Sequence, residues 1–93
     1  MTLADKINEE IKEAMKAREK EKLEALRSIK KVIIEAKSTK GAGSELNDEE
    51  VLKIISKLAK QGLESASIYK QQGRTDLYEQ EMFQVAVFEK YLP

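Results

Sequence analysis

Leu23-Glu24-Ala25-Leu26-Arg27-Ser28-Ile29-Lys30-Lys31-Val32-Ile33-Ile34-Glu35-Ala36 carries the fold class of this chain. Its apolar residues Leu23, Leu26, Ile29, Val32, Ile33, Ile34 and Ala36 recur at helical spacing. At about 100° per residue they cover roughly 200° of the helical wheel. An arc that wide cannot be buried against one neighbour. It predicts a central helix that touches two or more others.

Working toward the N-terminus, Leu3, Ile7, Ile11, Ala14 and Met15 form a narrower stripe behind Thr2. Thr2 reads as an N-cap, with Asp5 three residues on. From Lys16 to Lys22 only Ala17 is apolar, and an unbroken helix would expect apolar residues near Arg18 and Lys22. Two helices meeting near Ala17–Lys20 are therefore expected, at about 3–17 and 20–39.

Toward the C-terminus, the small polar segment Ser38-Thr39-Lys40-Gly41-Ala42-Gly43-Ser44 reads as a flexible loop. It lacks the Gly-Lys-Ser/Thr ending of a phosphate cradle. Asn47-Asp48-Glu49-Glu50 opens a third helix at about 48–72, because Asn47 can cap and Glu50 completes a capping box. The apolar run Val51, Ile54, Ile55, Leu58, Ala59, Gly62, Leu63, Ala66 and Tyr69 continues it, and Gly73 suits its left-handed end. Gly62 sits inside this apolar face, where a close helix crossing explains it.

A last helix is expected at about 76–91, with two stripes. One is Leu77, Tyr78, Met82, Val85, Phe88 and Leu92; the other is Phe83, Val87 and Tyr91. With no fifth helix to cover the second stripe, Phe83, Val87 and Tyr91 are expected to meet something outside the chain. The prediction is an all-α fold, a small bundle of about four helices in a single domain spanning 1–93.

The 93 residues include no Cys, no His and no Trp. The chain can therefore form no thiolate nucleophile, no Ser–His relay and no Cys/His zinc site. No metal or other cofactor is expected. No apolar run approaches the length of a membrane span, and the N-terminus has no signal-peptide core. No membrane partner is expected, and a cytoplasmic setting is the simplest one.

Seventeen basic and 17 acidic residues give zero net charge, but their placement is uneven. Residues 1–47 hold 11 basic and 9 acidic side chains, and residues 48–93 hold 6 and 8. The bias peaks between Lys16 and Lys40, with nine basic residues against four acidic ones. Arg27 and Lys31 lie four apart on the solvent side of the second helix. Lys30 and Lys37 flank its apolar arc, where the stem packs and the ammonium reaches water. Lys53, Lys57 and Lys60 make another basic stripe on the third helix, with Glu64 placed to pair with Lys60. Clustered cations of this kind can neutralise phosphates. No aromatic is interleaved for base stacking.

Several short pieces, in order, carry a family resemblance. They are Ile7-Asn8-Glu9-Glu10-Ile11-Lys12-Glu13-Ala14-Met15-Lys16, Leu26-Arg27, Ile29-Lys30 and Leu46-Asn47-Asp48-Glu49-Glu50. Lys60-Gln61, Glu64-Ser65, Gly73-Arg74-x-Asp76-Leu77 and Tyr91-Leu92-Pro93 complete the series. The set resembles the GatB/YqeY family, and its free-standing YqeY-like members in particular, over essentially the whole chain. The family commonly has a basic residue where Gly62 stands, and Glu-Leu where Gln84-Val85 stands.

The resemblance implies an all-helical N-terminal subdomain, normally followed by a second helical subdomain that this chain would lack. In GatB, a subunit of the glutamine-dependent tRNA amidotransferase, the related region is a tail that helps hold tRNA. Three functions follow. The first is a non-catalytic tRNA-associated module, with Arg27, Lys30, Lys31, Lys37, Lys60 and Arg74 as the nucleic-acid contacts. The second is a protein-interaction module docking through the last helix. Its partner would be the missing subdomain, a second copy or an amidotransferase subunit. The third is the family's label, a carbon–nitrogen ligase with glutamine as amide donor. Nothing in the chain supplies a nucleophile for that reaction, since Ser65 and Ser67 lack a partner at recognisable spacing. The chain alone is expected not to be catalytic.

Overall fold

The computed structural model describes residues 1–41 and 43–93 and is built from four helices. They are α1 (Leu3–Ala17), α2 (Lys20–Lys40), α3 (Asp48–Gln71) and α4 (Thr75–Glu89). No strand occurs among the described residues. The all-α bundle predicted from the apolar periodicity is the fold.

Each boundary has a local cause. α1 begins in a full capping box: Asp5 N–H donates to Thr2 Oγ1 at 3.1 Å, and Thr2 N–H donates to Asp5 Oδ2 at 3.3 Å. It ends because Arg18 takes up a left-handed conformation, φ 57°. The Glu19 N–H then bonds back to the Ala14 carbonyl at 3.0 Å, the signature of a Schellman end. Arg18 does this without a glycine, the residue that adopts this backbone at least cost.

The second boundary departs from expectation. Helix α2 runs one residue past the expected 20–39, so Lys40 is helical as well as the Ser38 and Thr39 that the loop reading also took in. The Thr39 hydroxyl donates to the Glu35 carbonyl at 3.1 Å. Ala42, in the middle of the expected flexible loop, lies outside the described residues. Lys40 ties α2 to α3, since its ammonium donates to the Glu45 carbonyl at 2.9 Å and to Glu50 Oε1 at 3.0 Å. The same Glu50 carboxylate accepts the Asn47 N–H at 3.0 Å, while Glu50 N–H donates to Asn47 Oδ1 at 2.8 Å. The capping hydrogen bond and then the Lys40 ammonium hold the Glu50 carboxyl below its ordinary pKa.

Between α3 and α4, Gly73 takes φ 71° and the Arg74 N–H bonds to the Tyr69 carbonyl at 2.9 Å. α3 and α4 thus fold back on each other as an antiparallel hairpin. Gly62 lets them touch: a Cβ placed there would lie 2.6 Å from Val85 Cγ2. That is the close crossing its place in the sequence implied.

The core gathers Ile7 and Ala14 from α1, Leu26 and Ile29 from α2, Val51 and Ile55 from α3, and Val87 and Phe88 from α4. α2 contributes to contacts with all three other helices, as its wide apolar arc requires.

The reading of α4 needs correction here. Two members of its second stripe, Val87 and Tyr91, have partners within the chain rather than outside it. Val87 is only 5% exposed and belongs to the same core as Ala14. α4 stops at Glu89, and the Tyr91 and Leu92 N–H groups bond to the Phe88 and Glu89 carbonyls in a tight turn. Tyr91 then reaches α1, donating its hydroxyl to Glu10 Oε1 at 2.9 Å. Phe83, one turn before Val87, lies beside Arg18–Lys22 at the α1–α2 junction and stays 44% exposed. α2 and α3 pack against α4, and the turn that follows it brings Tyr91 to α1. Val87 and Tyr91 thus find neighbours within the chain that the sequence did not show.

Candidate nucleic-acid interface

The outer surface of α2 is basic because its core arc leaves one side of the wheel free. Arg27, Lys30 and Lys31 are exposed there, and Ile34 beside them is 56% exposed. Residues 27, 31 and 34 recur by four and three, so they share one face. None of the three cations is in an ion pair among the described residues.

Lys37 is different. It is half-buried, and its ammonium lies 3.5 Å from the Glu45 carboxylate. Its position at the margin of the arc was readable, but the acid comes from the following loop. That partner already occupies the charge a phosphate would need.

Lys60 is exposed on α3, and the expected pair with Glu64 is not formed among the described residues. Lys53 and Lys57 are exposed on the same helix. They line a groove of about 430 Å³ whose other wall is Val32 and Glu35 of α2. Ile54 and Leu58 form its floor. Arg74 stands apart, beyond the C-terminal end of α3, which itself lies roughly 16 Å in helical rise past Lys60. Its guanidinium lies 6.0 Å from the Tyr69 ring centroid. Arg74 borders a polar hollow of about 630 Å³ with Thr75, Asp76 and Gln80. The structure therefore groups Arg27, Lys30 and Lys31 closely. It withdraws Lys37 into an ion pair and separates Arg74 from the rest.

A recess absent from the sequence reading lies where α2, α3 and α4 converge. It holds about 200 Å³ and is bordered by Ser28, Gln61, Ser65, Glu81 and Gln84, with Gly62 and Phe88 among its apolar surfaces. The four-residue spacing of Gln61 and Ser65 on the margin of an apolar face was its one visible sign. Among the described residues, no group of three or more acidic side chains is placed to hold a metal ion. No helix there is long and apolar enough to cross a membrane.

The fold and these surfaces define a small helical-bundle domain with a basic face on its central helix. A family model described as Yqey-like protein matches residues 4–93. The chain belongs to that family, as its ordered motifs implied. No curated protein matches it.

Proposed function

We propose that this chain is a non-catalytic, tRNA-associated helical module with a cytoplasmic setting. Its role would be comparable to that of the GatB tail its sequence resembles. The observation that best supports this is the grouping of Arg27, Lys30 and Lys31 on α2. All three are exposed, and no carboxylate neutralises them among the described residues. Three such cations on a chain of zero net charge are a local feature, not the by-product of a basic composition.

Cations of this kind bind the sugar–phosphate backbone by displacing counterions, and they position RNA without reading its bases. Lys60 extends the patch onto α3. The absence of Cys and His from the sequence agrees with a holding role rather than amide transfer.

The test is tRNA binding measured across a salt series. Affinity should fall steeply with salt, and Lys30→Glu with Lys31→Glu should weaken it roughly ten-fold or more at low salt. No measurable binding at low salt would refute the proposal, and so would a double variant that binds like the parent.

A further inference from the structure

The groove between α2 and α3 and the recess beside α4 adjoin at Leu58 and Gln61, which border both. Together they make a trough along α3 from Lys53 to Ser65, a rise of about 18 Å. The trough is ordered along its length. Lys53 and Lys57 stand at the first end, with Glu35 across the groove and Glu50 close enough to Lys53 to feel its charge. Val32, Ile54 and Leu58 line the middle. Glu81 and Gln84 close the far end, at the level of Ser65. Lys53, Lys57 and Glu81 have no ion-pair partner among the described residues.

The outward face of α4 carries the complementary order. Asp76, Glu79, Phe83, Ala86 and Lys90 are all exposed. Their steps alternate by three and four, so they lie in one straight row of about 21 Å. The row is acidic at its start, apolar in its middle and basic at its end. Toward its basic end the spacing matches the trough: seven residues separate Phe83 from Lys90, as seven separate Leu58 from Ser65, at whose level Glu81 lies.

We propose that this face of α4 seats in the trough of a second copy of the chain. In this arrangement Asp76 and Glu79 meet the second copy's Lys53 and Lys57, Phe83 covers Leu58, and Lys90 approaches Glu81. Opposite charges meet at both ends, and a half-exposed aromatic leaves water in the middle. RNA suits the trough less well, since Glu35 and Glu81 repel phosphate and an aliphatic floor offers no stacking platform. The trough and the α4 face are different surfaces, so each bound copy still presents a free trough or a free α4 face. Association of this kind is head-to-tail and does not stop at two unless it closes into a ring. This inference goes beyond the RNA reading and uses none of Arg27, Lys30, Lys31 or Lys60.

The experiment is sedimentation velocity on the full chain over a dilution series at low salt. The average mass should climb with concentration past that of a dimer. Lys53→Glu with Lys57→Glu, and separately Glu79→Lys, should each weaken association roughly ten-fold or more. Circular dichroism melting of each variant checks that the fold is kept. Mixing the two variants should restore association, because the swapped charges then face each other across one interface and the native charges across the other. A chain that stays monomeric throughout overturns the proposal. So does a mixture that fails to recover, or a pair of variants that associate like the parent. Loss of tRNA binding in the Lys53→Glu, Lys57→Glu chain without any change in mass would assign the trough to RNA and overturn it too.

Discussion

Gly62 and Val85 hold α3 and α4 in close contact, with Val85 Cγ2 only 2.6 Å from where a Gly62 Cβ would stand. Val85 is fully buried, so it has no free space into which to retreat. Alanine at position 62 would gain about 1 kcal/mol of helix propensity. Overpacking of this kind costs about 1–3 kcal/mol. Gly62→Ala is therefore expected to destabilise the chain by about 1 kcal/mol, read from the denaturant midpoint. Val85→Ala should cost less in the Gly62→Ala background than in the parent. A stabilised Gly62→Ala chain would refute the close packing.

Arg18 offers the opposite case. It holds φ 57°, where an L-residue is strained by about 1–2 kcal/mol and glycine is not. Gly also loses more freedom on folding, which offsets part of the gain. Arg18→Gly is expected to raise stability by about 0.5 kcal/mol. A lower melting temperature would mean that the arginine stem, which lies beside Met15 and Leu23, matters more than the backbone.

Tyr91 and Glu10 tie the end of the chain to its first helix. Burial first, and then the bond to Glu10, raise the Tyr91 phenol well above its ordinary pKa of 10.0. A raised folded-state pKa adds stability that is fully present below the unfolded value and is lost as pH rises toward the folded one. Stability should therefore decline above pH 10.0, and Tyr91→Phe should flatten that decline. At neutral pH the same substitution should cost about 1 kcal/mol through the lost hydrogen bond. Equal alkaline slopes for the two chains would contradict this.

Glu50 behaves in the opposite sense. Its carboxyl is held below its ordinary pKa, so its contribution is present above the unfolded value and is lost as pH falls through the folded one. Glu50→Gln should show a smaller loss of melting temperature on acidification than the parent. The cap itself is separable, since Asn47→Ala should cost about 1 kcal/mol at any pH in the neutral range.

Lys37 and Arg27 should differ in RNA binding although both were expected to contact phosphate. Lys37 lies 3.5 Å from Glu45, whereas Arg27 is exposed and unpaired among the described residues. Arg27→Ala should reduce the slope of log affinity against log salt by about 0.9, and Lys37→Ala should leave it nearly unchanged. Equal losses would mean that the Lys37–Glu45 pair opens to receive phosphate.

The helices were legible because their causes are local. Thr2 with Asp5, Asn47 with Glu50, and Gly73 each announce a boundary within a few residues. The charged run from Lys16 to Lys22 announced the α1–α2 break, but not the left-handed arginine that makes it. Gly62 pointed to a close crossing because a glycine inside an apolar face has few other uses. The internal partners of Val87 and Tyr91 were hidden for a geometric reason: a wheel shows which side is apolar, not which distant element lies against it. The Lys37–Glu45 pair was hidden for the same reason, because Glu45 reaches Lys37 only once the loop turns back. The trough depends on how α2, α3 and α4 converge, and no periodicity records that.

The bond between Tyr91 and Glu10 joins residues 81 positions apart, and the core that holds Ile7 and Ala14 also needs Val87 and Phe88. α3 and α4 can pair early, since only Gln72–Arg74 separate them. α1 packs on α2, only Arg18–Glu19 away, but it is also tied to the far end of the chain. During synthesis α1 can therefore settle on α2 early, while its tie to Tyr91 waits on residues made at the opposite end. Weakening the Tyr91 tie should chiefly quicken unfolding and leave the rate of folding nearly as it was.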